Sequence, residues 1–183
     1  MNSIPEKGIL SEIDGNNLIL LVSEPKRHEI LYNTLSSPHW IDTKLCYVCL
    51  EKTFTDMQDD LTTENIQTKN IVFVDTQSSP DLPIPPSEAC VFVPGMKSID
   101  RISEAIKYCI SRKGCRSVVI DSINALLREH DCNQILGFTH SLITKKPQKR
   151  ARKLFLLTDR HKPAIKSLIC DLSLFADKSY MIR

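Results

Sequence analysis

The chain is punctuated by short, nearly continuous apolar runs, each too brief to be a buried helix and each bounded by polar or turn-forming residues. Residues 18–22, 45–50, 71–74, 90–93, 118–120 and 154–157 are of this kind, and 180–182 can add a last edge strand. Strands that are apolar at every position bury both faces, which requires parallel pairing with helices above and below the sheet. The intervening segments supply such helices. Pro25 suits a first helical turn and is followed by Ile30, Leu31 and Leu35 on one face. Ser98 is placed to cap a helix carrying Ile99, Ile102, Ile106, Cys109 and Ile110, which Lys113-Gly114 closes. Ile135, Leu136, Thr139, Leu142 and Ile143 form a third stripe, and Pro163 opens a fourth with Ile165, Leu168 and Ile169. Residues 77–86 hold four of the ten prolines and are expected to form an extended loop. The predicted class is α/β, a three-layer α/β/α sandwich around a mainly parallel sheet. At 42% hydrophobic and 25% charged residues, 183 positions suit one domain over 16–183, preceded by an N-terminal extension over 1–15.

Several functions are disfavoured by what is missing. Only 5 glycines occur where average usage gives about 13, and there is no G-x-G and no G-x-S-x-G. His28-Glu29 begins like a zinc-protease helix, but Tyr32 stands where the second imidazole belongs. Cys46 and Cys49 have C-x-x-C spacing, yet on a strand they project to opposite faces and cannot share an ion. The seven cysteines, an odd number lying mostly in apolar runs, read as reduced core thiols, and no metal site is expected. No run is long enough to cross a membrane and the start lacks a signal-peptide layout, so the expectation is a cytoplasmic protein without membrane contact.

In an open parallel sheet the functional crevice lies beyond the carboxyl ends of the strands. That singles out Ser23, Glu24, Glu51, Asp75, Asp121, Thr158 and Asp159. The segment 117–127, a hydrophobic strand ending in Asp121-Ser122, resembles the strand with which KaiC-like, RecA-type ATPases help hold Mg²⁺. Residues 47–52 resemble the family's strand ending in a catalytic Glu, with Lys52 in place of a second acid, and 154–159 and 175–182 are similar to its later core strands. The resemblance spans roughly residues 16–183 and implies a RecA-like fold. It also implies rings or stacked assemblies, hence a protein partner or self-association.

The departure falls on the phosphate loop. Val22-Ser-Glu-Pro-Lys-Arg-His-Glu29 has no glycine and no Gly-Lys-Ser/Thr, Pro25 removes a backbone donor, and Glu24 puts a carboxylate where phosphate would be drawn. The expectation is a degenerate ATPase with no cofactor, acting as an interaction or regulatory module, with Glu51 and Asp121 retained as caps or hydrogen-bond acceptors. Lys26, Arg27 and His28 read as solvated first-turn residues. Their alternative role, together with Ser23, Glu24 and Ser122, is a residual anion or nucleotide site. On that alternative the chain is an ATPase using ATP with Mg²⁺, in which Lys26 and Arg27 hold phosphates, Asp121 places the metal and Glu51 activates water. A third option rests on charge. Lys145, Lys146, Lys149, Arg150, Arg152 and Lys153 put six cations within nine residues, which leaves 18 basic against 22 acidic residues elsewhere, a net of −4. Read as an exposed cluster, this run could bind nucleic acid, although no aromatic residue lies within it to stack a base.

Overall fold

The computed structural model describes residues 17–36, 43–78, 88–146, 148, 151–158 and 163–182. Its strands are β1 (Asn17–Val22), β2 (Leu45–Cys49), β3 (Ile71–Asp75), β4 (Cys90–Phe92), β5 (Ser117–Asp121), β6 (Arg152–Thr158) and β7 (Lys178–Ile182). They form one sheet in the order β4-β3-β2-β5-β6-β1-β7, and every pairing is parallel. The helices are α1 (Arg27–Leu35), entered through a 3-10 turn at Glu24–Lys26, α2 (Phe54–Thr63), α3 (Ile99–Ser111), α4 (Ile123–Leu126), α5 (Cys132–Thr144) and α6 (Pro163–Leu172).

Side chains alternate along each strand between two cores. Ile30, Leu31 and Leu35 of α1 and Met57 and Leu61 of α2 pack with Tyr47, Phe73, Val119 and Leu156 on one face. On the other, Ile102 and Ile106 of α3, Ile135 and Leu142 of α5 and Leu168 of α6 pack with Val48, Val74, Ile120 and Phe155. Cys46 belongs to the second core and Cys49 to the first, so the pair is split by the sheet. Among the described residues no group of His, Cys, Asp and Glu could hold a metal ion. None of the helices described is long and apolar enough to cross a membrane. Five cysteines are buried, but Cys132 is half-buried and Cys170 exposed, because α6 turns Cys170 away from the stripe of Ile165, Leu168 and Ile169.

The chain leaves β2 through α2 on one face and the adjacent β5 through α4 on the other. This divergence opens a crevice beyond the carboxyl ends of β2 and β5. The helix α2 has no counterpart in the sequence reading. Its segment FTDMQDDLTT offers only Met57 and Leu61 as buried anchors, and its start is set by Thr53, whose hydroxyl accepts from the Asp56 amide at 3.1 Å.

The basic run does not form the exposed cluster that its composition suggests. Lys145 and Lys146 are exposed, whereas Lys149 and Arg150 lie outside the described residues. Arg152 and Lys153 already belong to β6. Arg152 is half-buried and donates from Nε to the Ser117 hydroxyl at 2.8 Å. Lys153 is 1% exposed, and its ammonium donates to the carbonyls of Gln148, at 2.5 Å, and Ala151. A lysine within a strand buried on both faces can satisfy its charge only by curling back onto the preceding loop.

Burial pushes the Lys153 ammonium down from its ordinary 10.5 to about 8, with the Asp177 carboxylate opposing the shift. Between those values the unfolded chain binds more protons than the folded one, so this group adds stability as pH rises and adds none below. Relative to Lys153→Met, the wild type should therefore gain up to about 3 kcal/mol in urea unfolding between pH 7 and 10.5. A stability difference that is flat across this window contradicts the assignment.

Candidate functional site

The crevice is organised by one guanidinium. Arg27 opens α1 and lies three and four residues before Ile30 and Leu31, which places it on the buried stripe of that helix. It is 9% exposed. Its Nε and Nη2 reach Asp121 Oδ1 at 2.9 and 2.8 Å, and its Nη1 donates to Glu51 Oε2. The second oxygen of Asp121 accepts from the Tyr47 hydroxyl at 2.7 Å, and Glu51 Oε1 accepts from the Ser122 hydroxyl at 3.2 Å. Arg128 stands 3.9 Å from Glu51 Oε1, and the exposed Glu24 stands 3.9 Å from Arg27. Every carboxylate oxygen of Asp121 and Glu51 thus has a donor, and the two acids share one central cation.

Backbone contacts fix this arrangement. The Leu50 amide donates to the Asp121 carbonyl at 3.1 Å, which ties the turn bearing Glu51 to β5. The Thr76 hydroxyl donates to the Cys49 carbonyl at 2.8 Å, and Asp75 accepts the Phe54 amide at 2.8 Å, so the start of α2 is pinned to β3. Asp75 also accepts from the amides of Gln77 and Ser78 and from the Ser78 hydroxyl. It is a structural acceptor, committed to its own turn. At the end of β6 the Asn124 side chain donates to the Thr158 carbonyl at 3.0 Å and accepts its amide at 2.9 Å. Thr158 Oγ1 is buried without a partner among the described residues. Asp159 lies outside them.

Burial on its own would lower the Arg27 pKa, but the carboxylates of Asp121 and Glu51 outweigh it and hold the group firmly cationic. Burial pushes the Asp121 carboxyl up, while Arg27 and Tyr47 pull it down. Burial, and then the Asp121 charge, drives the Tyr47 hydroxyl well above its ordinary value, which keeps it a donor.

The residues singled out from the sequence are distributed as follows. Glu51, Asp121, Arg27 and Ser122 meet in one network, with Glu24 at its rim. The expectation that Arg27 is solvated fails because the helical phase turns it inward, while His28 is exposed and stacks on Tyr32 with ring centroids 5.9 Å apart. Ser23 contributes its backbone to the turn, donating to the Ile182 carbonyl and accepting from the Lys26 amide, both at 3.0 Å. Lys26 is half-buried. Tyr47 and Arg128 join the site unforeseen, Tyr47 signalled only as the lone aromatic in its run. At the mouth Lys52 pairs with Asp60 of α2. The cleft lined by Arg27, Tyr32, Tyr47, Glu51, Met57 and Asp121 has space for about one water molecule, far less than a nucleotide requires.

Removing one member of a buried ion network leaves the others uncompensated, which typically destabilises by about 3–5 kcal/mol. Arg27→Met should lose that much in urea unfolding at pH 7, and the loss should shrink on acidification as the abandoned Asp121 takes up a proton. A loss below about 1 kcal/mol, as for an exposed pair, is the contrary result.

No family model and no curated protein matches this sequence. Solved structures do match its fold. Flagellar accessory protein FlaH from Methanocaldococcus jannaschii superimposes with a TM-score of 0.56 at 12% identity, covering 98% of this chain and 78% of its own. A KaiC-like protein from Pyrococcus horikoshii OT3 gives 0.51 at 14% identity, with 81% of this chain covered. The match spans 63% of that protein's length. The chain therefore adopts the KaiC-like, RecA-type α/β fold.

Proposed function

We propose that this is a KaiC-like domain that does not hydrolyse ATP and works as an interaction or regulatory module. The observation that carries this reading is Arg27. Its guanidinium occupies the space between Asp121 and Glu51, the two acids that on the family pattern would serve metal and water. A catalytic base needs an oxygen open to a water, yet both Glu51 oxygens already accept hydrogen bonds. A phosphate cradle needs successive free amides, yet the turn after β1 contains Pro25, and its Lys26 amide is bonded to Ser23. Admitting Mg-ATP would require Arg27 to leave the buried Asp121 and the half-buried Glu51, a step that opposes binding by several kcal/mol. The free cysteines suit a reducing compartment, and we place the protein in the cytoplasm.

Phosphate release from Mg-ATP by the purified protein should not exceed that of Glu51→Gln, and calorimetry should find binding absent or no tighter than millimolar. Turnover that Glu51→Gln abolishes would falsify the proposal.

A further inference from the structure

We propose that the amino ends of β2, β5 and β6, at the opposite end of the sheet from Arg27, form a binding face for single-stranded nucleic acid. The face is assembled from segments distant in sequence. Lys44 immediately precedes β2 and Arg116 immediately precedes β5, and the Arg116 amide donates to the Lys44 carbonyl at 2.9 Å. The Arg152 amide in turn donates to the Arg116 carbonyl at 3.1 Å, so three strand starts present basic residues side by side. Arg112 and Lys113 follow the end of α3 on the same side, and both Lys44 and Lys113 lie close enough to influence the buried Cys115 thiol. Lys145 and Lys146 directly follow α5, and the Gln148 carbonyl beyond them accepts from the Lys153 ammonium.

Lys44, Arg112, Arg116, Lys145 and Lys146 are all exposed, and among the described residues none of them makes a salt bridge. Acids also reach this end of the sheet: Glu64 ends α2, Glu88 precedes β4 with its carbonyl accepting from the Lys113 ammonium at 3.3 Å, and Asp177 is engaged by Asn17 through its amide at 2.6 Å and its side chain at 2.9 Å. The C-termini of α3 and α5 each contribute about half a negative charge, which offsets only a small part of this positive surface.

An exposed aromatic gives the face a second property. Tyr108 lies one turn before Arg112, whose amide donates to the Tyr108 carbonyl at 2.8 Å, and it is 46% exposed. The sequence places no aromatic inside the basic run, but the fold brings one beside the cations. A ring for stacking beside guanidinium and ammonium groups for phosphates is the chemistry of single-stranded nucleic acid recognition. Leu174 and Phe175 are also exposed, in the turn from α6 into β7 at this same end of the sheet, but Phe175 packs on His140 with ring centroids 5.1 Å apart, which leaves one aliphatic side chain against five exposed cations for a lipid surface.

The inference does not depend on the state of the Arg27 site, and its test uses no ATP. Anisotropy of a labelled 20-nucleotide single strand should show binding that weakens roughly 100-fold between 50 and 200 mM salt, as expected for about five phosphate contacts. The triple variant Lys44→Ala/Arg112→Ala/Arg116→Ala should bind at least tenfold more weakly, with a salt slope shallower by about 2. An equal charge removal elsewhere, Lys97→Ala/Arg101→Ala/Lys166→Ala, should leave affinity within twofold. Tyr108→Ala should weaken binding at least fivefold with the slope unchanged. The idea is overturned by no binding at 50 mM salt, by equal effects of the two triple variants, by an unaffected Tyr108→Ala, or by preference for a duplex of the same length. It is equally overturned if anionic phosphatidylserine vesicles, but not the oligonucleotide, require Lys44, Arg112 and Arg116.

Discussion

The crevice end of this protein depends on a single guanidinium shared by the buried Asp121 carboxylate and the half-buried Glu51 carboxylate. Two acids brought to adjacent strand ends in an apolar setting must be neutralised by protons, a metal ion or a basic side chain. Arg27 supplies the third solution from within the chain. Its planar fork can address Asp121 through Nε and Nη2 while Nη1 serves Glu51, a geometry that lysine could not reproduce. The same contact docks the first turn of α1 against β2 and β5, so charge neutralisation and helix placement are one event. The absence of glycine in the preceding turn fits this role, because a side chain rather than a bound anion or metal fills the crevice.

The parallel sheet was legible from the sequence because its strands are buried on both faces. Apolar runs such as 45–50 and 118–120 have no polar alternation to obscure them, and the strands Leu45–Cys49 and Ser117–Asp121 end within one position of them. The helix α3 was equally clear, since Ile99, Ile102, Ile106, Cys109 and Ile110 repeat at helical spacing under a Ser98 cap whose hydroxyl accepts the Arg101 amide. What stayed hidden was α2, where a helix with only two buried apolar anchors carries too little periodicity to be distinguished from a loop.

The site was half legible. Glu51 and Asp121 follow from their positions at strand ends, which depend only on local pattern. Their partner does not, because a basic residue in a first helical turn is usually solvated, and only its phase relative to Ile30 and Leu31 reveals that it faces inward. The same limitation misplaced the basic run. Composition counts charges but cannot tell that Lys153 enters a strand while Lys146 stays in a loop, or that Lys44 and Arg116, 72 positions apart, are hydrogen-bonded neighbours. Register between parallel strands is a long-range property, and nothing within either segment encodes it.

The five residues of β5 set a separation of about 13 Å between Ser117 and Asp121, four steps at the usual rise of a parallel strand. That exceeds the screening length of physiological solution, about 8 Å, so a polyanion lying across the strand starts would scarcely perturb Arg27 through the solvent. A ligand on the strand starts would accordingly reach the Arg27 network through the protein interior rather than through the solvent.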